Sequence, residues 1–444
     1  MADVDNQALT DDRQGTAFGA VVTKKIKQRF ERVLAGFRDG QLSITWPDGT
    51  SAVYGTRSAK AENNASVVLH SYLPLRRLIT DGQLGFAESY MQGEWSTDHL
   101  PSLFSLIMRN EKYIGPATRG GRLSRLMNIW QHWTKRNSVG GSQRNIAYHY
   151  DLGNDFYRLW LDRSMSYSSA LYLESDDTLA KAQQQKIDRI TEMLAPKAGS
   201  NILEIGCGWG GLAQHLAYDA GVNITGVSLS KEQLEYANIY NKVAGPDSHE
   251  PINSTTEQFN ADKPETNNLS LGERPSPGSS SFEFCDYRDI KGKFDHIVSI
   301  EMFEAVGQQY WETYFNKLSA LLDSGGSAVI QTITLAENRF DAYRARPDFI
   351  QRYIFPGGML PTKTILTQLV EQAGFELEQT HWFGESYAQT LAAWREKFEL
   401  ASKEVMALNF DERFLRMWRY YLVYCETGFQ IGHTDVGLLK IRKV

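Results

Sequence analysis

The stretch "NILEIGCGWGGLAQHLAYDAGVNITGVSLSKEQ", Asn201 to Gln233, sets a glycine cluster between a short apolar run and a helical pattern. Gly206, Gly208 and Gly211 satisfy the dinucleotide spacing G-x-G-x-x-G, and Gly206, Gly208 and Gly210 satisfy the G-x-G-x-G common in S-adenosylmethionine (SAM) methyltransferases. "NILEIG" reads as a buried strand, after which Gly206-Cys207-Gly208 lets the backbone approach a ligand before the next helix begins. A dinucleotide enzyme places an Asp or Glu about 20 residues on, against the ribose hydroxyls. Here the second strand ends in "GVSLSKEQ", with Ser228 and Ser230 in that place. Glu204, just before the cluster, suits a contact to the amino group of SAM, or else caps a neighbouring turn. The balance favours SAM and keeps NAD as the weaker alternative.

Working outward, 444 residues suit two or three domains, and 42% hydrophobic with 23% charged residues is ordinary globular composition. A net charge of −6 speaks against bulk nucleic-acid binding. Cys207, Cys285 and Cys425 show no metal-type pairing, which points to a reduced compartment and no metal site. The N-terminal "MADVDNQALTDDRQG" has no apolar signal core, and no run approaches 18 apolar residues. These features predict a cytoplasmic chain that is free to sit on a membrane face.

Lys24 to Phe37 has helical apolar spacing, and "GQLSITWPDGTSAVYG" reads as a hairpin turning at Pro47-Asp48-Gly49. "LGFAESYMQGEWSTDHLPSLFSLIMRN" returns to helical periodicity, with Asp98 or Pro101 near a helix start. In Arg119–Gly141, Leu123, Leu126, Met127, Trp130 and Trp133 share one helical face among Arg119, Arg122, Arg125, Lys135 and Arg136. Such a segment suits a membrane surface, and a core-packing helix with a solvated face explains it equally well. Gly140-Gly141 make a linker, so the expected domains are 1–140, a lipid-associated α+β unit, and 141–444. From about residue 147, apolar runs near 202–205, 224–229, 296–300 and 326–333 alternate with helical segments. That is the pattern of a doubly wound, Rossmann-like α/β sheet. Residues 244–281, rich in Pro, Ser, Asn and Glu, read as a mobile surface insertion.

"HYDLGNDFYRLWLDRSMSYSSALY" (His149–Tyr172), "ILEIGCGWGGLA", "GVSLSKEQ", "DYRDIKGKFDHIVSIEMFEAVG" and "RYIFPGGMLPT" follow one another in order. Together they closely resemble the cyclopropane-fatty-acyl-phospholipid synthase family, which includes the mycolic acid cyclopropane synthases. The resemblance covers roughly His149 to Lys443 without the insertion, and extends more weakly through "LGFAESYMQGEW". It implies a class I SAM-dependent methyltransferase fold. It also implies SAM contacts at Tyr167, Ser168, Gly206, Gly208, Ser228, Leu229, Gln233, Tyr287 and Arg288. For the two tyrosines, ordinary core packing is the alternative.

Methyl transfer from a sulfonium to an alkene needs proximity and desolvation more than an activated nucleophile, because the π bond attacks. The resulting carbocation needs an anion or aromatic faces beside it, and closing a ring needs a base. In the resembled family that base is a bicarbonate held by a Cys, a Glu, a His, a backbone Ile and a Tyr. By motif the Glu is Glu304, the Ile is Ile333 and the Tyr is Tyr387. The cysteine position carries Ser169, the histidine position Gln331, and the residue after Glu304 is Ala305. Hydroxyl and amide donors still suffice for an anion. Glu304 is itself a candidate base, or a structural hydrogen bond at a strand end. Cys425 matches a cysteine often presumed catalytic, although alkene methylation needs no thiolate and a buried inert thiol is the simpler reading. The implied acceptor is an unsaturated acyl chain of a membrane phospholipid at the inner membrane face. The implied product is a cyclopropane, or a methylated or methylene-bearing chain that a partner reductase would saturate. A homodimer is compatible with the sequence. A SAM- and lipid-binding module without catalysis is the reading from another class.

Overall fold

The computed structural model describes residues 17–58, 63–114, 152–243 and 278–444. The chain divides into two compact units, Met1–Met127 and Asn128–Val444. This division and the expected boundary at 140 both fall outside the described residues, as does the basic, tryptophan-bearing segment Arg119–Arg136.

In the first unit helix α1 (Ala17–Leu34) leads into strands β1 (Gln41–Thr45) and β2 (Ser51–Gly55), the expected hairpin. Strand β3 (Asn64–Leu69) pairs parallel with β1, and the two-residue β4 (Trp95–Ser96) closes the order β2-β1-β3-β4. Helices α2 (Leu73–Asp81), α3 (Gln83–Met91) and α4 (Leu100–Ile114) complete it, α4 starting between Asp98 and Pro101 as the spacing predicts. Buried Asn110 accepts from the Arg38 and Asp39 N–H groups and donates to the Asp39 carbonyl, so it fastens α4 to the turn before β1.

The second unit is the predicted Rossmann-like layer structure. After a short helix α5 (Asn154–Arg158) and helix α6 (Leu179–Leu194), strands β5 (Asn201–Ile205), β6 (Asn223–Ser228) and β7 (Ser280–Phe284) alternate with helices α7 (Gly211–Asp219) and α8 (Lys231–Val243). Then come β8 (Phe294–Ile300), α9 (Trp311–Leu321), β9 (Leu322–Leu335), α10 (Lys363–Gln372), β10 (Phe375–Trp382), α11 (Gly384–Leu400), α12 (Glu412–Gln430) and β11 (Thr434–Lys443). The sheet order is β10-β11-β9-β8-β5-β6-β7. Strands β7, β6, β5, β8 and β9 pair parallel, while β11 is antiparallel to both β9 and β10. The four apolar runs all become strands, and the antiparallel β10–β11 edge is an addition to the expected parallel sheet. One boundary is corrected: Ser280 and Ser281, assigned to the insertion, open β7. The Gly278 N–H donates to the Ala217 carbonyl at 2.8 Å, so the sheet captures the end of that segment. Residues 244–277 lie outside the described residues.

From β5 the chain steps through β6 to β7 on one side and returns at β8 on the other, so the strand order reverses between β5 and β8. An open α/β sheet parts its loops at that switch point, beyond the strand C-termini. Gly206 follows β5 there and Glu301 follows β8. Gly226, in the middle of β6, permits the close fit beneath them, since a Cβ on it would lie 2.8 Å from both Cys207 Cβ and Phe282 Cδ1. Gly226→Ala should therefore cost about 1–3 kcal/mol of stability through overpacking, read as a lower midpoint in urea unfolding. An unchanged midpoint would show that Phe282 and Cys207 give way freely.

Candidate active site

The glycine cluster is built for backbone approach. Gly206, Gly208 and Gly210 have φ of 83°, 52° and 86°, a region that glycine enters without strain. A Cβ on Gly206 would meet Met302 Cγ at 2.9 Å and one on Gly210 would meet Phe282 Cζ at 2.8 Å, so packing alone demands those two. A Cβ on Gly208 would meet nothing within 4 Å beyond its chain neighbours. Packing places no demand on that position, and the open space suits a ligand.

The neighbouring groups fit SAM. Glu204 in β5 is 3% exposed with Oε2 unpartnered, the state expected of a carboxyl that awaits an amino group. Burial pushes it up to about 8, with the Lys186 ammonium pulling the other way. Ser228 Oγ donates to Gln233 Oε1 at 3.1 Å, which fixes the amide at the start of α8, and Leu229 lies between them. The Tyr287 ring is buried edge-on to Tyr314 at 5.6 Å, and its hydroxyl lacks a partner. Arg288 is clamped by Asp286 through Nε at 2.8 Å and Nη2 at 2.6 Å, a partner the sequence reading missed. Tyr167 packs against Trp160 and Trp394 at 5.4 and 5.3 Å and shares a 2.7 Å hydrogen bond with the Tyr421 hydroxyl. Ser168 Oγ accepts from Lys186 Nζ at 2.7 Å.

The groups assigned to bicarbonate converge on Glu301, a residue the sequence reading passed over. Its Oε1 accepts from the Ser169 N–H at 2.8 Å and from Gln331 Nε2 at 2.7 Å, and its Oε2 accepts from the Tyr387 hydroxyl at 2.6 Å. The Ser169 hydroxyl turns away to the Ala170 carbonyl. The remaining two expected partners engage one another: the Ile333 N–H donates to Glu304 Oε1 at 2.5 Å, joined by the Thr332 hydroxyl at 3.0 Å. Gln331, Tyr387 and the Ile333 N–H are thus committed to side-chain carboxylates, and the Ser169 hydroxyl to a backbone carbonyl. A free anion would also face the Glu301 charge, so these residues do not fit bicarbonate.

Burial raises the proton affinity of both acids. Glu304 is pushed up to about 8, first by burial and then by the Glu301 charge, and its Oε2 has no partner. Glu301 is raised by burial but opposed by Tyr387, the Ser169 N–H, Gln331 and the Lys186 charge. Three donors favour the ionised form, so the proton of the pair rests on Glu304 and the charge on Glu301. Cys425 is half-buried in α12, and desolvation holds its thiol far above the usual range. That thiol is no nucleophile. The signal for Glu301 is present in "HIVSIEMFEAVG": an acid directly after an apolar parallel strand sits where such sheets bind ligands.

Comparison with known proteins agrees with this geometry. The family described as mycolic acid cyclopropane synthetase matches residues 138–263 and 256–439. A tuberculostearic acid methyltransferase of Mycobacterium tuberculosis is 35% identical over 412 residues, 89% of this chain and 86% of that one. The cyclopropane-fatty-acyl-phospholipid synthase of Escherichia coli is 34% identical over 363 residues, 80% and 82% of the two chains. Among solved structures, a cyclopropane synthase of Mycobacterium tuberculosis superimposes with TM-score 0.57 at 27% identity, over 68% of this chain and 98% of that one. A mycolic acid cyclopropane synthase complexed with SAH and CTAB gives the same values.

Two expectations follow. Gly208→Val should weaken SAM binding at least about tenfold by calorimetry, because a β-branched residue at positive φ is strained and would fill the open space; retained affinity would place the ligand elsewhere. Glu204 and Glu304, both about 8 in the folded chain against 4.5 unperturbed, hold protons that the unfolded chain releases. Their contribution to stability is full below about 4.5 and is lost as pH rises through about 8. The melting temperature of the ligand-free protein should therefore fall from pH about 5 to about 8, and Glu304→Gln should flatten the slope. A rise across that window would contradict the assignment.

Proposed function

Given that the chain belongs to the mycolic acid cyclopropane synthetase family and is a SAM-dependent methyltransferase, we propose that it methylates the double bond of an unsaturated acyl chain of a membrane phospholipid and releases the chain without closing a ring. The acyl acceptor is supported by the names of the two relatives, and the phospholipid by that of the Escherichia coli enzyme. No helix among the described residues is long and apolar enough to cross a membrane. The enzyme would then meet its lipid from the membrane face, with the Arg119–Arg136 segment as the contact.

The observation that carries the product assignment is the Glu301 carboxylate, held by Ser169, Gln331 and Tyr387. SAM, when bound, supplies an electrophilic methyl group; Gly208, Glu204, Ser228 and Gln233 are the residues that would hold it. The alkene π pair would form the new carbon–carbon bond as the methyl–sulfur bond breaks and leaves its electron pair on the sulfur of the departing S-adenosylhomocysteine, and the positive charge would appear on the neighbouring chain carbon. Glu301 faces that charge as a fixed anion in a dry site, where it acts far more strongly than in water. Glu301 then takes a proton from a carbon beside the cation, and the C–H pair becomes a new double bond. Ring closure needs the proton to leave the freshly added methyl instead. A carboxylate tethered at a φ of 49° and gripped by three donors does not follow that methyl as a free anion would. Glu304, protonated and bound to Ile333 N–H, anchors the end of β9 beside the base.

The test is mass spectrometry of phospholipid fatty acids after expression in a host without such enzymes. Each modified chain should gain the mass of one CH2 and keep one double bond after derivatisation; a cyclopropane as the main product overturns the assignment. Glu301→Gln should lower turnover at least about 10²-fold, the scale of a lost acid–base group, with SAM affinity nearly unchanged. The wild type should be indifferent to bicarbonate, whereas Glu301→Gly should regain activity when bicarbonate is added.

A further inference from the structure

Lys186 sits in the middle of α6, on the face that also buries Ala182, Gln183, Ile187 and Ile190, and is 3% exposed. An ammonium in such a place costs several kcal/mol unless acids compensate it. Here they do. The charges of three carboxylates on separate segments act on it: Glu301 after β8, Asp162 ahead of the Tyr167–Tyr172 stretch and Glu204 in β5. Its hydrogen bond runs to Ser168 Oγ at 2.7 Å, and one turn earlier Gln183 Nε2 donates to the Ser168 carbonyl at 3.0 Å. The next N–H along the chain, that of Ser169, donates to Glu301. An apolar side chain would pack this face of the helix as well, so packing does not account for the charge.

We propose that Lys186 is a positioning residue: through Ser168 and its charge it joins the SAM-binding segment to the Glu301 carboxylate and keeps that carboxylate ionised for proton removal. The inference rests on the assignment of Glu301 as the base. Lys186 is itself brought down to about 8 by burial, with Glu301, Asp162 and Glu204 opposing, so it is charged at neutral pH. Its field lowers the proton affinity of both Glu204 and Glu301, while the Glu301 charge raises that of Glu304. Tyr387, which donates to Glu301, stays protonated because burial lifts its hydroxyl well above the usual value.

The experiment is the pH profile of kcat on unsaturated phospholipid vesicles, with SAM affinity measured beside it. Lys186→Met keeps the stem and removes the charge. It should move the acidic limb of kcat up by about one pH unit, about tenfold in rate at a pH on that limb, and leave the KM for the lipid in place. Ser168→Ala keeps the charge and removes the hydroxyl. It should weaken SAM about five- to tenfold, the scale of a lost hydrogen bond, without moving the limb. Glu301→Gln separates the two claims. If it leaves the wild-type limb standing, Glu301 is not the titrating base and the earlier assignment fails. If it removes the limb while Lys186→Met leaves the limb where it was, Glu301 stands and the role given to Lys186 is wrong. Should Lys186→Met fail to fold, Ser168→Ala decides, since unchanged SAM affinity there overturns the coupling.

Discussion

The convergence of the Ser169 N–H, the Gln331 amide and the Tyr387 hydroxyl on one half-buried carboxylate organises the site. The three donors come from the Tyr167–Tyr172 segment, from β9 and from α11, while the acceptor ends β8. A single charged group thus ties four parts of the fold within hydrogen-bond reach. The same bonds hold the segment that carries Tyr167 and Ser168 over the glycine cluster, helped by Thr390 Oγ1 on the Ala170 N–H and Ser386 Oγ on the Tyr172 N–H. A buried carboxylate with fewer donors would take up a proton and lose both its grip and its use. Structure and chemistry therefore depend on the same three hydrogen bonds.

The neighbouring Glu304 shows how environment divides the work between two chemically identical groups. Both acids are half-buried, yet one has three donors on its two oxygens and the other leaves an oxygen bare. Like charges this close do not both persist in a medium of low polarity, so the better-solvated member keeps the charge. A motif comparison names Glu304 and is silent on Glu301. Assigning the base requires knowing where the donors point.

Much of the frame was legible because it follows from periodicity. The runs at 202–205, 224–229, 296–300 and 326–333 are buried on both faces and short, which is what parallel strands under helices look like in sequence. Glycine spacing pointed to the cofactor loop, and the missing acid at Ser228 tilted the balance from NAD to SAM before the five ordered motifs settled it. The β10–β11 edge was less visible, since His381 and the charged residues of "FELEQTHW" give a broken alternation. Ser280 and Ser281 were absorbed into the insertion because small polar residues on an edge strand resemble the loop beside them.

The site itself was half legible, for a different reason. Positions that touch the cofactor through backbone or through small side chains leave a spacing that survives reading in one dimension. Lys186 and Glu301 leave none, since each is one charged residue in an apolar context whose partners lie elsewhere in the chain. Lys186 on an amphipathic helix reads as a solvated lysine until the helix is docked, and Glu301 reads as the cap of a turn. Their meaning comes from compensation. An ammonium and a carboxylate that are both expensive to bury become affordable only when each lowers the cost of the other, with Glu204 and Asp162 sharing the same field. Such groups sit where the sheet parts because desolvation there serves the chemistry. A cation forming on a hydrocarbon chain has no water to stabilise it, and a charge already fixed in place need not reorganise when it forms.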